Sequence, residues 1–346
     1  MKLFITGATG FFGSNLTDYL LRNTGHSLVL LVRDRRRRNL PAESERVRIV
    51  KGDLHNLAMI KEGLAGCDAV IHAAAHVSTW ARDPKIFDRV NVQGALNMLS
   101  EAGAAGIQKI IYISSFLALG YSKGDPLTEA DSFKRNTFFN DYERTKYLAN
   151  LKVMELAAKG LPLTILYPTV MYGPGPRTAG NLVVNLLLDY MRGKLQFRLG
   201  DGTQRWNYVF VEDVVRGALL ALELGKSGDR YILGGENVSA LKFFDTVEKV
   251  TGVRQPRLAI PFPMARLFGA AEEAAAFLTG RIPQTTRGVV DIFQKDWIYD
   301  SALAKKNLGF ESLSLEEGLV RTVEWIRRDL SIHSSRAKRK GAVRRQ

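Results

Sequence analysis

The tightest constraint on this chain lies in its first turn. A short apolar run, Leu3-Phe4-Ile5, leads through Thr6 into Gly7-Ala8-Thr9-Gly10-Phe11-Phe12-Gly13, and an amphipathic stretch from Asn15 to Arg22 follows. Three glycines between a strand and a helix leave the backbone few choices. Gly7 permits a tight turn, Gly10 lets the backbone approach an anion, and Gly13 lets the helix pack closely on the strand. The helix that opens there offers free N–H groups and the positive end of its dipole to a phosphate. The turn therefore predicts a strand–turn–helix unit that binds a dinucleotide.

The rest of the first half repeats this alternation. Leu28–Val32, Val47–Val50, Ala69–Ile71, Ile110–Ile113 and Leu163–Tyr167 read as strands, and Leu57–Leu64, Pro84–Ala104 and Tyr142–Lys159 as helices. Near-continuous apolar strands separated by helices predict an α/β fold with a doubly wound, Rossmann-type parallel sheet covered on both faces. After Pro168 the texture changes at Tyr172-Gly173-Pro174-Gly175-Pro176. Helices expected over Asn181–Met191, Ala240–Thr251, Met264–Leu278 and Leu315–Leu330 mix there with short strands, Asn207–Val211 and Arg230–Leu233. The expected division is a nucleotide-binding domain over 1–170, with a segment near 205–225 returning to it. A smaller α/β substrate lobe follows over 171–330, and a basic tail over 331–346.

Composition narrows the class. Of 346 residues 46% are apolar, enough for a sizeable core. Cys67 is the single cysteine, so no intrachain disulfide can form, and a reducing, cytoplasmic setting is expected. The apolar stretch Pro261–Leu278 is interrupted by Arg266, Glu272 and Glu273, which argues against a membrane span. His26, His55, His72, His76 and His333 share no spacing with carboxylates or cysteine, so no metal site is expected. The net charge of +14 is concentrated in two places, Arg33 with Arg35 to Arg38, and the end of the chain from Arg336. No aromatic residue interleaves with these cations, so nucleic acid is not an expected partner. The tail reads as a solvated end, with weak contact to an anionic membrane surface as the sharper alternative.

The glycine spacing is Gly-x-x-Gly-x-x-Gly rather than the Gly-x-Gly-x-x-Gly of the common dehydrogenases. Thr6 to Gly13 resembles the cofactor motif of the extended short-chain dehydrogenase/reductase family, of the NAD-dependent epimerase/dehydratase type. A second motif agrees: Tyr142 and Lys146 are four apart, hence on one helical face, and Ser115 ends a strand five residues before Gly120. The resemblance implies that Ser115 orients a carbonyl and Tyr142 acts as general acid and base. Lys146 would favour the tyrosine anion, as a nearby cation does, and hold the nicotinamide ribose. Asn91 would support the site from its helix. Tyr190 and Lys194 repeat the tyrosine–lysine spacing, but Gly193 breaks the helix, and this pair reads as a helix end.

For the cofactor, the resemblance implies contacts from Thr6, Gly7, Thr9, Gly10, Phe11, Phe12 and Gly13. It adds Asp53 and Leu54 after the third strand, Ala73, Ala74 and Ala75 after the fourth, Tyr142 and Lys146, and Pro168 and Val170, with proline fixing the turn over the nicotinamide. At the end of the second strand an acid selects NAD and an arginine accommodates the 2′-phosphate of NADP. Arg33 stands there, with Arg36 close by, and this favours NADPH; Asp34 keeps NAD open.

Nucleotide-sugar members usually carry Arg-Asp where this chain has Trp206 and Asn207, with Arg205 one position early. Val77, Trp80, Phe116 and Trp206 are expected to form an apolar substrate pocket. Within the family the chain is most similar to dihydroflavonol-reductase-like and hopanoid-associated epimerase-like members. The reading is NADPH-dependent reduction of a ketone or aldehyde on an apolar small molecule. The alternatives are an NAD-dependent sugar or nucleotide-sugar epimerase or dehydratase, a 3β-hydroxysteroid-dehydrogenase-like enzyme, and a non-catalytic NADP-binding protein. The family also implies a homodimer through the helices at 84–104 and 142–159.

Overall fold

The computed structural model describes residues 1–37, 39–131, 135–178 and 180–328. Arg38, His333 and the basic tail lie outside them. The chain runs β1 (Lys2–Thr6), α1 (Phe11–Asn23), β2 (Ser27–Val32), β3 (Val47–Lys51), α2 (Leu57–Leu64) and β4 (Ala69–His72). A continuous helical run follows: α3 (Lys85–Phe87), a π-helical turn (Asp88–Gln93) and α4 (Gly94–Ala104). Then come β5 (Lys109–Ile113), a 3-10 turn (Phe116–Ala118), α5 (Asp141–Ala158), β6 (Leu163–Pro168) and β7 (Val170–Tyr172).

The second half holds α6 (Leu182–Met191), β8 (Phe197–Leu199), β9 (Arg205–Phe210), α7 (Val211–Leu224), β10 (Arg230–Leu233), β11 (Glu236–Ser239) and α8 (Ala240–Thr251). It closes with β12 (Leu258–Ile260), α9 (Phe262–Thr279), α10 (Arg287–Phe293), α11 (Ala302–Leu308) and α12 over 315–328.

Seven strands form one parallel sheet in the order β10-β6-β5-β4-β1-β2-β3. Side-chain alternation divides its core. Phe4, Val29, Val70, Ile110 and Ile165 pack with Leu64, Met98, Leu99 and Val153 of α2, α4 and α5. Leu3, Ile5, Leu28, Leu30, Ile71 and Ile111 pack with Leu16, Leu20, Val214 and Ala218 of α1 and α7. The strand order reverses between β1 and β4, which opens a crevice at the strand carboxyl ends. Every motif singled out in the first half leads into that crevice.

The later strands take different roles. β10 joins the edge of the main sheet beside β6, whereas β9 lies between β7 and β11 in a separate three-stranded sheet. α7, directly after β9, returns to the main sheet and packs on α1, β5 and β6. A third core, with Val184, Leu187, Phe210, Phe243, Leu319 and Ile326, gathers residues of α6, β9, α8 and α12.

Candidate active site

The glycine turn is held from two sides. Gly7 has φ +81°, and a Cβ there would stand 2.6 Å from the Ala73 carbonyl carbon and 2.7 Å from the Ala74 nitrogen. A Cβ on Gly13 would stand 2.1 Å from the Gly7 oxygen. The first glycine therefore seats the turn against the exit of β4, and the third seats α1 against the turn. Gly10 donates to the Gly7 carbonyl at 2.9 Å and begins α1 with no side-chain cap and no acid in the first turn. The N–H groups at Phe11 and Phe12 thus meet no capping side chain or first-turn acid, as a pyrophosphate requires. The Thr6 hydroxyl accepts from Ala74 N–H at 3.3 Å and lies 2.8 Å from His72 Nδ1. Asn39 anchors the turn by donating to the Thr9 carbonyl at 2.6 Å. The cradle fits a dinucleotide.

At the end of β2 the basic cluster separates by role. Arg35 donates to the Ile49 carbonyl and pairs with Glu43. Arg36 is bonded to Asp34, whose carboxyl is held below its usual range chiefly by the Arg36 backbone N–H. The one acid that kept an NAD-type contact open is therefore engaged, and so is Arg36. Arg33 is exposed and makes no hydrogen bond or ion pair with a described residue; its charge helps burial keep His76 below the ordinary histidine range. Asp53 is exposed and accepts the His55 N–H at 2.8 Å, and Leu54 is buried against Gly94 of α4.

Ser115, Tyr142 and Lys146 come together at the end of β5. Ser115 has extended backbone and caps the turn that follows, its hydroxyl accepting from Leu117 N–H at 3.3 Å. The neighbouring Ser114 hydroxyl is buried without a partner. α5 carries the other two residues and starts where the Asn140 side chain accepts the Glu143 N–H at 2.8 Å. Lys146 Nζ donates to the Ile113 carbonyl at 3.1 Å and lies 5.6 Å from the Tyr112 ring centre.

The electrostatics depart from the expected sign. Burial pushes the Tyr142 phenol up to about 12, while its hydrogen bond with Ser115 pulls the other way. Burial pulls Lys146 down to about 7. Desolvation governs both groups, disfavouring the phenolate and the ammonium alike. His72, beneath them, is held neutral by burial and by Lys146, down to about 3.

Lys146 carries a pH signature. Its folded value of about 7 lies below the ordinary 10.5, so between those values the unfolded chain binds more protons and stability rises with pH. Below about 7 the full cost of the buried cation is present. Lys146→Met is therefore expected to raise the melting temperature most at pH 6, with the gain shrinking towards pH 10. A gain that is absent, or that grows with pH, would contradict this.

Asn91 lies buried in the π-helical turn, an irregularity common at functional sites. Its amide donates to the His76 carbonyl at 3.2 Å and to Thr145 Oγ1 at 3.1 Å, while its oxygen accepts the His76 N–H at 2.6 Å. Asn91 thereby ties the strand exit through Ala73–Ala75 to the helix bearing Tyr142. Thr145, between Tyr142 and Lys146, is a partner the motif reading overlooked. Asn91→Ala leaves buried groups unpaired and is expected to cost about 1–3 kcal/mol, measurable by chemical denaturation.

The residues expected to face substrate separate into two groups. Phe116, directly after Ser115, packs edge-to-face on Trp206, Trp297 and Tyr299, with ring centres 5.6–6.4 Å apart. Trp206 stacks on Phe293 at 4.8 Å and is almost fully buried, so it is a wall of this cluster. Trp297 and Tyr299, which complete the wall, were not singled out in the sequence. Trp80 meets Phe277 of α9 at 6.4 Å, and Val77 is half-buried on the same loop. Pro168 makes no turn: it ends β6 in register with Leu233, and Thr169 carries the chain into β7 and Val170. Arg205 is committed elsewhere, bonded to Asp296 at 2.8 Å and to the Gly124 carbonyl at 2.9 Å. No cluster of potential metal ligands occurs among the described residues.

The sequence profile of the NAD dependent epimerase/dehydratase family matches residues 3–234. A putative dihydroflavonol 4-reductase of Synechocystis is 32% identical, with 93% of each chain covered. Sterol demethylase protein B of Methylococcus capsulatus is 29% identical, covering 94% of this chain and 98% of that one. Among solved structures, UDP-glucose 4-epimerase of Thermotoga maritima superposes with a TM-score of 0.77 at 26% identity, covering 95% and 100% of the two chains.

Proposed function

The chain belongs to the NAD dependent epimerase/dehydratase family, and we propose that within it this NAD(P)-dependent oxidoreductase is an NADPH-dependent reductase of a carbonyl on an apolar substrate. One observation carries the choice over a nucleotide-sugar enzyme. Beside Ser115 stands half-buried Phe116, backed by the buried rings of Trp206, Trp297 and Tyr299, while Arg205, one position before the place where nucleotide-sugar members carry an arginine, is locked to Asp296. Aromatic rings favour an apolar or ring-shaped ligand. The relatives named as a dihydroflavonol reductase and a sterol demethylase component support the same direction.

Bound NADPH would supply the hydride. Ser115 orients the carbonyl oxygen by hydrogen bonding, and Tyr142 delivers the proton to that oxygen. Burial holds the Tyr142 phenol protonated at neutral pH, so the proton to be donated is in place. Lys146, bonded to the Ile113 carbonyl, would hold the nicotinamide ribose. The glycine turn would hold the pyrophosphate, with the backbone of Ala73–Ala75 beside the cofactor.

NADPH is favoured because Arg33, at the exit of β2, makes no hydrogen bond or ion pair with a described residue, while Asp34, Arg35 and Arg36 are engaged. A guanidinium–phosphate bond contributes about 1.5–3 kcal/mol, or roughly ten- to a hundredfold in affinity. Arg33→Ala should therefore raise the KM for NADPH by at least about tenfold and leave that for NADH unchanged. An equal effect on both cofactors would remove the assignment.

A further inference from the structure

α9 is an 18-residue helix whose inward seam is only Ala265, Gly269 and Ala276. At 100° per residue, its outward side carries Met264, Leu267, Phe268, Phe277 and Leu278, with alanines at 270, 271, 274 and 275, and no charged residue. Leu267 is 74% exposed and Leu278 89%. A water-facing helix side normally carries the polar residues. Here the polar residues sit on the flanks and are used internally: Arg266 pairs with Asp291, Glu273 with Arg287, and Glu272 accepts the Gln284 N–H. Exposed Ile282 extends the patch beyond the helix, and Leu258 and Phe197, paired across β12 and β8, add to it from the strand that leads into α9.

We propose that this face of α9 docks on an anionic lipid bilayer. The rim decides the occupant. Arg254 and Arg257 precede Leu258, Arg281 follows the helix, and the Arg82 guanidinium lies 3.6 Å from where a Cβ on Gly280 would stand. None of the four forms an ion pair with a described residue. A second copy of a chain of net charge +14 would bring like charges against one another, whereas anionic headgroups would be drawn to this rim. No described helix is long and apolar enough to cross a membrane. An apolar helical face ringed by arginines instead suits a helix lying in the interface. The contact between Phe277 and Trp80 sets the docked face beside the loop that follows Ala73–Ala75. An apolar substrate dissolved in the bilayer would thus meet the mouth of the cleft. The docking itself does not depend on the reaction assigned above.

Co-sedimentation of the full chain with phosphatidylcholine–phosphatidylglycerol vesicles tests this. The chain should bind, and part of the binding should survive salt that screens surface charge. Leu267→Ser/Phe268→Ser/Leu278→Ser should lower vesicle affinity at least about tenfold, with melting temperature and NADPH affinity unchanged. Three results would overturn the proposal: no binding by the parent chain, equal binding by the variant, or a dimer of the parent chain that the same substitutions dissociate.

Discussion

Tyr142→Phe is expected to lower kcat/KM by about a thousandfold, within the range general acid catalysis contributes. The substitution keeps the ring and removes only the hydroxyl that bonds Ser115. No ion pair is broken, and Lys146 keeps its bond to the Ile113 carbonyl. The melting temperature and NADPH affinity should therefore stay close to those of the parent, and the loss should appear in kcat rather than in KM. Ser115→Ala should lower activity less, because it removes orientation and leaves the proton donor. A Tyr142→Phe enzyme with near-parental turnover would assign the proton to another group.

Gly13→Val is expected to abolish NADPH binding and to lower stability. A Cβ at position 13 would meet the Gly7 carbonyl oxygen at 2.1 Å, with Gly7 carbon and Ala8 Cα also inside 3 Å. All three are backbone atoms, so no rotamer change relieves the contact. Overpacking of this kind costs about 1–3 kcal/mol or more, and relief requires α1 to move away from the turn. That movement displaces the N–H groups that would receive the pyrophosphate. Cofactor titration and thermal melting measure the two effects together. Gly10→Ala is the control for stability alone: its Cβ would lie 3.2 Å from the Gly7 oxygen, so the fold should tolerate it far better, while the Cβ would still crowd the bound anion. A Gly13→Val protein that binds NADPH normally would refute the packing role of the third glycine.

The first six strands of the main sheet were legible because each is a short apolar run between amphipathic stretches, a pattern that follows from burying both faces. The tyrosine–lysine spacing at Tyr190 and Lys194 could also be set aside from sequence. α6 ends at Met191, and Gly193 follows with φ +68°. What sequence could not show was tertiary. The helix expected over 84–104 contains a π-helical turn that places Asn91 between His76 and Thr145, and no periodicity signals it. The strand expected from Asn207 to Val211 begins at Arg205, and Val211 already starts α7. The aromatic wall draws on Phe116, Trp206, Trp297 and Tyr299, which lie up to 183 residues apart. The alternation of Trp297 and Tyr299 was its one local trace. The sign of the Tyr142 shift was missed for a related reason, since the helical spacing of Tyr142 and Lys146 reveals their proximity but not their burial.

The central claim is reduction of an apolar carbonyl at the expense of NADPH, and the direct measurement is cofactor consumption by the purified full chain. Hydrophobic ketones and aldehydes of increasing ring content would be offered with NADPH or NADH, alongside UDP-glucose with NAD. The account predicts NADPH oxidation matched mole for mole by alcohol, fastest with the apolar ring ketones, slower with NADH, and lost in Tyr142→Phe. Interconversion of the nucleotide sugar with no net change in NAD, and no ketone-dependent NADPH oxidation, would contradict it.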